Sequence, residues 1–225
     1  IVREMQSRPG DIFNAQTLRK DRNRIVRLGY FSAVSNPELI PGSDTDRIRV
    51  RLRVTEQKSN NARLGLEQEE NNIVFFSNMT IANLLGTGEN LLFKMQLGLI
   101  QSYRIRYFNP WLFNTYHLGF LLSRYYDIDT DTFQSQSIKV LRNGWETGLE
   151  WPWSDELKWT LSYHSVDTSE SGTAVGLTAY QTRSVKLAGV YDNVSVVNNL
   201  ERGTRRFFQA ERGGDLFLFA LDGLV

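Results

Sequence analysis

Cysteine is absent from the 225-residue chain, which excludes disulfide bonds and thiolate metal sites within it and leaves the redox compartment undetermined. Histidine occurs twice, as His117 and His164, and neither has a clustered carboxylate partner in the sequence. The sequence therefore predicts no metal site. Lys and Arg number 26 against 25 Asp and Glu, so the near-zero net charge provides no basic field of the kind that attracts nucleic acid.

Long apolar runs are also missing. No stretch approaches the roughly 18 to 20 residues of a membrane-spanning helix, which excludes a helical membrane protein. The first residues lack the basic flank and apolar core of a signal peptide, so we expect a fragment or a mature segment. Nucleophile elbows, Walker loops and dinucleotide fingerprints are absent, and the sequence predicts neither an enzyme nor a cofactor.

Residues 1–58 have the pattern of a small α+β unit. Asn14 is a suitable N-cap for a helix of about four turns, and Gly29 is a suitable stop. A short strand is expected from Tyr30 to Val34. Residues 47–54 alternate without a break and predict a second strand that covers a core on one side. Its four arginines are interpreted either as a solvated face or as a contact to phosphate or lipid headgroups.

From about Asn60 onward the apolar side chains follow period two, which is typical of half-exposed β-strands. Several strands have 9 to 13 residues, the length that tilted membrane strands need, whereas strands of soluble proteins usually have five or six. About ten strands are predicted: 61–68, 73–83, 89–99, 101–109, 114–126, 133–150, 156–167, 176–193, 204–212 and 215–222.

The predicted connections fall into two groups, one at each end of the strands. One group is expected at 83–88, 109–113, 151–155 and 194–203, and the other, mostly polar, at 67–72, 127–132 and 168–175. Trp111, Trp151 and Trp153 are expected at turns of the first group, where aromatic rings favour a membrane interface. Gly86 and Gly88 are expected to give a tight turn positive φ angles.

Four motifs occur in the order found in one known family. Residues 3–56 resemble the last part of a POTRA module, with Leu28-Gly-Tyr-Phe31 and a final Val54-Thr-Glu56. Residues 83–91 (Asn-Leu-Leu-Gly-Thr-Gly-Glu-Asn-Leu) are similar to a turn between early barrel strands of BamA-type proteins. Asn109-Pro110-Trp-Leu and Tyr191-Asp192-Asn with Gly203 resemble two later turns of that family, although Asn109 replaces the usual Asp, residues 193–194 replace Arg-Asp, and the proline before Gly203 is missing.

This resemblance implies a mainly β fold. Residues 1–58 correspond to a partial periplasmic α+β POTRA module, and residues 59–225 to the N-terminal part of an incomplete antiparallel β-barrel in the outer membrane of a Gram-negative bacterium. Gly86, Gly88, Asn109, Pro110, Asp192 and Gly203 correspond to structural turn residues. The implied partners are the outer-membrane bilayer, unfolded outer-membrane proteins as clients, and accessory periplasmic lipoproteins or other assembly subunits, without nucleic acid.

The implied activity is insertion of client barrels into the outer membrane by strand templating. Two segments are candidate client-binding edges: the first barrel strand (Asn61, Ala62, Arg63, Leu64, Gly65 and Leu66) and the module edge (Phe31, Ser32, Ala33 and Val34). An edge strand binds an extended chain through its backbone, without demanding a sequence. A two-partner secretion translocator, a porin-like passive channel and a soluble lipocalin-type protein remain as alternatives.

Overall fold

The computed structural model describes residues 1–57, 60–69, 72–98, 100–112, 117–133, 136–172, 176–193, 195–197, 200–213 and 216–222. The chain divides into two compact units, Ile1–Asn60 and Asn61–Val225. Unit 1 contains a 3-10 turn (Val2–Glu4), α1 (Ala15–Arg27), β1 (Phe31–Val34), β2 (Glu38–Pro41), β3 (Ile48–Arg51) and β4 (Val54–Glu56). In unit 1, β1 pairs with β4 and β2 pairs with β3, both antiparallel.

Helix α1 begins and ends as its sequence predicts. The side-chain oxygen of Asn14 accepts hydrogen bonds from the backbone N–H groups of Gln16 and Thr17, at 2.9 and 3.2 Å. These bonds satisfy two of the four N–H groups that a helix start leaves open. Gly29 follows the helix with φ of 71°, a conformation that favours glycine. Leu18 and Ile25 form the buried side of the helix.

The strand predicted over residues 47–54 is wrong. Residues 48–51 pair with β2, whereas residues 54–56 pair with β1, so the alternating run is divided between two sheets. Ile48 and Val50 are 51% and 39% exposed, so this segment does not cover a core either. The alternation itself is real, but the change of pairing partner at Leu52 and Arg53 depends on β2, a strand that the sequence interpretation missed.

Asp21 ties the segment before α1 to the helix. Its fully buried carboxylate accepts hydrogen bonds from the backbone N–H groups of Gln6 (2.7 Å) and Ser7 (3.0 Å), and Arg24 lies 3.7 Å away. Burial alone would raise the pKa of Asp21, but the hydrogen bonds from Ser7 and Gln6, together with Arg24, outweigh it and hold the pKa below its ordinary value. The charged form is therefore the one that stabilises unit 1.

Unit 2 is one antiparallel sheet of ten long strands with a small hairpin. The long strands are β5 (Asn61–Glu69), β6 (Asn72–Ala82), β7 (Asn90–Leu97), β8 (Gln101–Asn109), β9 (Gly119–Phe133), β10 (Gln136–Pro152), β11 (Leu157–Gly172), β12 (Gly176–Asp192), β15 (Arg205–Gly213) and β16 (Leu216–Asp222). They are hydrogen-bonded in chain order, and the hairpin of β13 (Ser195–Val197) and β14 (Leu200–Arg202) lies between β12 and β15 in the sequence. The expectation of about ten strands is confirmed.

Two predicted connections and several boundaries are wrong. Residues 127–132 belong to β9, and residues 168–172 belong to β11, so both strands continue through segments predicted as turns. The predicted strand over 114–126 starts instead at Gly119, and Trp151 lies in β10 rather than in a turn. Polar side chains on both faces hide the alternation there, while backbone pairing continues. The expectations for Leu99, residues 113–116 and residues 173–175 fall outside the described residues. Within those that are described, no helix is both long and apolar enough to cross a membrane.

Replacing Asp21 with Asn should weaken α1. The amide keeps one acceptor oxygen but presents a donor to the second backbone N–H, so we expect a loss of about 1–3 kcal/mol in the opening free energy of α1. Because the folded pKa lies below the unfolded value, the carboxylate contributes fully above about pH 4 and loses its contribution as the pH falls through the folded pKa. The difference between wild type and variant should therefore shrink in acid.

Amide hydrogen exchange of residues 15–27 in the full chain, corrected for intrinsic rates at each pH, measures this difference. Asp44→Asn is the matched control, because Asp44 forms an exposed ion pair with Arg47 at 3.3 Å and should leave α1 unchanged. Equal protection of α1 in wild type and Asp21→Asn would show that the buried carboxylate does not hold the unit together.

Candidate functional site

The strand register of unit 2 gathers the apolar side chains on one face of the sheet, here named the apolar face. Leu91 pairs with Tyr107, Phe93 with Ile105, and Met95 with Tyr103. The same face continues through Leu122, Leu149, Leu161 and Val185 to Phe208. All ten residues whose alternation suggested a lipid-facing side lie on it: Leu91, Phe93, Met95, Leu97, Tyr103, Ile105, Tyr107, Trp159, Leu161 and Tyr163.

Large side chains of the apolar face are open to the surroundings. Ile105 and Leu161 are each 43% exposed, and Leu97 and Val185 are 46% and 47% exposed. Such a continuous apolar surface is costly in water and usually marks contact with a membrane or another protein. Aromatic side chains cluster at the end of the sheet that carries the turn at 153–156. There Trp151 of β10 pairs with Trp159 of β11, and the ring centroids of Trp159 and Phe208 of β15 are 6.3 Å apart.

The far boundary of the apolar face lies at different levels on different strands. At the end opposite the 83–89 turn, the first polar residue on this face is Gln101 on β8 but Arg183 on β12. The straight row of pairs from Gln101 reaches β12 at Ala179, four residues from Arg183. The change occurs between β8 and β9, because Arg124 on β9 already lies on this face in the same row of pairs as Ser165 and Arg183.

The opposite face, here named the polar face, has two electrostatic halves. On β5–β8 the described cations of this face are Arg63, Lys94, Arg104 and Arg106, whereas its acids, Glu67 and Glu69, are both at one end of β5. On β9–β15 acids and bases alternate, and Glu146 lies 3.4 Å from His164. The cations of β5–β8 make this part of the face a surface for acidic groups.

Ser162, His164 and Glu146 on the polar face do not form a catalytic triad. The hydroxyl of Ser162 lies 3.0 Å from Nε2 of His164, and the carboxylate of Glu146 approaches the same nitrogen. In a triad the carboxylate holds the other ring nitrogen and leaves Nε2 to the serine. The described residues also contain no cluster of three His, Cys, Asp or Glu side chains that could hold a metal ion.

Strand β5 forms one edge of the ten-stranded sheet. It pairs with β6 from Asn61 opposite Thr80 to Glu69 opposite Asn72, and the sheet order places no described strand on its other side. Leu64 and Leu66 are each 72% exposed. All six residues of the first candidate client-binding segment thus lie on the strand at one end of the described sheet, and a strand in that position can pair with a further strand through its backbone.

The inner neighbour of Gly65 is an aromatic ring. Gly65 pairs with Phe76, and a Cβ built on Gly65 would clash with the ring of Phe76. The ring therefore occupies the space that a larger residue at position 65 would need, an arrangement known to protect glycines in edge strands. It holds β5 in register on its β6 side through a contact that does not involve the free edge.

The second candidate edge, β1, is partly occupied by a side chain of its own unit. Arg22 of α1 donates hydrogen bonds to the backbone carbonyls of Val34 and Ser35, each at 3.1 Å. Phe31 and Ala33 pair with β4 across a register shift, and Ser32 donates to the carbonyl of Thr55. Arg22 does not bind the carbonyls of residues 31–33, so this part of β1 is the candidate for pairing with another chain.

The candidate turn residues act through backbone geometry. Gly86 and Gly88 have φ of 76° and 96°, which confirms the expected tight turn, and Asn83 accepts a hydrogen bond from the N–H of Gly88 at 2.8 Å. Asn109 accepts from Trp111, two residues after it and one after Pro110. At the third turn Asp192 pairs with Arg205 at 2.8 Å, beside Gly203 with φ of 145°.

Sequence reasoning missed the side chains that organise these sites. Gly65 within a strand pattern was a usable signal of close approach, but nothing local points to Phe76 as its cover. Arg22 lies 12 residues before the carbonyl of Val34 that it binds. No short-range pattern identifies such a contact.

Comparisons with known proteins agree with this architecture. A family model described as POTRA, surface antigen variable number repeat, matches residues 1–57. The chain is 28% identical over 170 residues to a protein of Treponema pallidum (strain Nichols) whose name describes an outer membrane protein assembly factor. That match covers 72% of this chain and 19% of the relative.

Two solved structures share the fold. BamA from Haemophilus ducreyi lacking POTRA domains 1–3 matches with a TM-score of 0.65 and 13% identity, covering 96% of this chain and 45% of that one. CdiB from Acinetobacter baumannii matches with a TM-score of 0.60 and 15% identity, covering 93% and 42%. Together these matches support a BamA-type architecture. It spans about a fifth of the Treponema relative and less than half of each solved structure.

The matches together cover both units. The POTRA model covers residues 1–57 of unit 1, and the two structural matches extend over 96% and 93% of this chain, including the ten-stranded sheet. The sheet is therefore a barrel segment, mainly β and antiparallel, as the sequence predicted. At these identities the solved structures establish the fold and leave the activity to be argued from the sites.

A positive charge on the apolar face should disrupt the barrel segment. Leu161 lies near the middle of the apolar face on β11, and Leu161→Lys should cost about 2–4 kcal/mol if that face meets lipid. Thr160→Lys on the neighbouring polar face is the matched control and should cost little. Guanidinium unfolding of the full-length protein in phospholipid vesicles measures both. Equal tolerance of the two lysines would exclude lipid contact at Leu161.

Proposed function

We propose that this BamA-type chain is part of an outer-membrane protein assembly factor that inserts client barrels by strand templating at β5. The observation that carries the proposal is the position of β5, which pairs with β6 on one side and with no described strand on the other, in a sheet with one apolar and one polar face. In hydrocarbon an unpaired backbone group costs several kcal/mol, so a client strand must find backbone partners as it enters. Strand β5 offers such partners without requiring a client sequence.

The local contacts of β5 suit an exchangeable edge. Leu64 and Leu66 point to the apolar face and are largely exposed, whereas Phe76 covers Gly65 from the β6 side. A client strand can therefore pair with the outer edge of β5 without displacing the contact that fixes its register. Each backbone bond broken during exchange is replaced by an equivalent one, and the reaction needs no nucleotide.

The POTRA edge supplies a second, weaker docking point. Strand addition at β1 would use residues 31–33, because Arg22 already holds the carbonyl of Val34. The named role of the Treponema relative supports client barrels and the outer membrane as partners. Residues 1–58 are then periplasmic, and accessory lipoproteins or other assembly subunits remain proposed partners.

A polypeptide translocator is the second candidate function. The structural match to CdiB and the four cations on the polar face of β5–β8 favour it, because an exported chain would pass along that face rather than pair with an edge. A passive porin-like channel gives the POTRA module no role. The position of client contact therefore separates the candidate functions.

Photo-cross-linking can locate the client. We expect benzoylphenylalanine at Arg63 or Glu67 on β5 to capture a folding outer-membrane protein in cells, and the same group at Lys94 or Arg106, on the same face of β7 and β8, to capture little. Templating confines client contact to β5, so the yield of cross-linked client should be about tenfold higher at the β5 positions than at the controls. A local backbone contact worth about 1.4 kcal/mol would produce this ratio.

Comparable capture at Lys94 and Arg106 would favour translocation through the barrel and contradict templating. Capture at none of the four positions, with the full-length protein correctly inserted, would favour a passive channel. Immunoblotting of the cross-linked client after equalising expression provides the measurement.

The strand order also predicts membrane topology. Thr87 lies in the turn at the end where β5 begins, and Thr130 lies towards the opposite end on β9. If β5 begins on the periplasmic side, a membrane-impermeant maleimide applied to intact cells should label a cysteine at Thr130 and not one at Thr87. Labelling at Thr87 alone would invert the proposed orientation.

A further inference from the structure

The apolar face of unit 2 carries an open groove across β9–β12. Its volume is about 430 Å³, and its walls are Phe120, Leu149, Leu161, Tyr163 and Val185, all of which lie on the apolar face. Thr147 lies at its floor, and the hydroxyl of Thr147 already donates to the backbone carbonyl of Leu121 at 3.2 Å. The groove therefore matches an occupant with no hydrogen-bonding demand.

Two arginines stand at one end of this groove. Arg212 on β15 pairs directly with Val185, and Arg183 is the next residue of β12 on the same face. Both are exposed, and both lie where the side chains of this face change from apolar to polar. An apolar groove with two cations at its mouth is complementary to an amphiphile with an anionic head and an acyl chain.

The neighbouring polar residues orient Arg183. Its Nη2 donates to Gln181 at 2.6 Å, and the amide nitrogen of Gln181 donates to Asp167 at 2.7 Å. Asp167 pairs with Gln181 across β11 and β12 and lies on the apolar face. Gln181 therefore binds this carboxylate on the side of Arg183 that is away from the groove. This bond directs the guanidinium of Arg183 toward Gln181 and away from Val185, at the polar edge of the apolar face, where lipid headgroups meet protein.

We infer that this groove and the pair Arg183–Arg212 form a site for a phosphate-bearing anionic membrane lipid, with an acyl chain along Val185, Tyr163 and Leu161 and the phosphate between the two arginines. The inference rests on the proposed membrane location of unit 2 and goes beyond assembly activity. It assigns a lipid preference to strands distant in the sheet order from the β5 edge.

Lipid-dependent quenching of tryptophan tests the site. Trp145 lies on the same face, with its ring 5.3 Å from that of Tyr163, so brominated acyl chains in the groove should quench it. The full-length protein is reconstituted in vesicles of phosphatidylglycerol and phosphatidylcholine at equal mole fractions. In one sample only the phosphatidylglycerol is brominated, and in the other only the phosphatidylcholine. The difference between wild type and Trp145→Phe isolates the signal of this residue.

Wild type should prefer phosphatidylglycerol over phosphatidylcholine at Trp145, by about fivefold for each arginine that binds the phosphate. The double variant Arg183→Gln/Arg212→Gln should lose the preference. The matched control Arg106→Gln/Arg142→Gln removes the same charge from the polar face and should keep it. Thr147→Phe fills the groove floor and should reduce quenching by both lipids.

Other outcomes would overturn the proposal. Equal preference in wild type and the Arg183→Gln/Arg212→Gln variant would exclude the arginines, and loss of the preference on adding glycerol phosphate would indicate a phosphate site without a role for the groove. Quenching by both lipids without preference would leave unit 2 in the membrane but remove the lipid site. Quenching by neither lipid would contradict the membrane location itself, so failure of the two proposals can be distinguished.

Discussion

The continuous antiparallel ladder from β5 to β16 is the constraint on which the rest of unit 2 depends. Side chains of a strand alternate between two faces, so the register between neighbours decides which residues share a face. A shift by one residue in any pair would carry Leu161 or Phe93 to the polar face and Lys94 or His164 to the apolar face. The apolar face, its boundary and the groove across β9–β12 all follow from this register.

The strands at the two ends of the ladder also differ from the interior strands in their backbone pairing. Among the described strands, interior ones pair on both sides, whereas β5 pairs only with β6. The ring of Phe76 over Gly65 stabilises that single pairing without using the other side. In unit 1 a side chain binds a strand end, because Arg22 donates a hydrogen bond to the carbonyl of Val34 at the end of β1. Fewer backbone groups of β1 can then pair with a partner strand.

The proposed assembly function and the proposed lipid site use different parts of one sheet. Client templating depends on the backbone of β5, whereas lipid recognition depends on the side chains of β9–β15. The two are linked through the bilayer, since a sheet must hold its position among lipids while its edge exchanges partners. Anchoring by an anionic lipid far from β5 would leave the edge free to open, which is the arrangement that the strand order permits.

Local patterns in the sequence determined much of this architecture. Period two identified the ten strands and the members of the apolar face, and Asn14, Gly29, Gly86 and Gly88 marked a helix start, a helix end and a turn, because caps and positive φ angles depend on a few adjacent residues. The resemblance of four motifs predicted the family. These features are local, and a single sequence contains them.

Only the tertiary structure decided which distant residues meet. The division of residues 48–56 between two sheets depends on pairing with β2 and β1, and the continuation of β9 and β11 through polar segments depends on hydrogen bonds to their neighbours. Phe76 over Gly65, Arg22 on Val34, and Arg212 beside Val185 join positions 11 to 27 residues apart. Such contacts arise from the register and path of the whole chain, and alternation by itself cannot specify them.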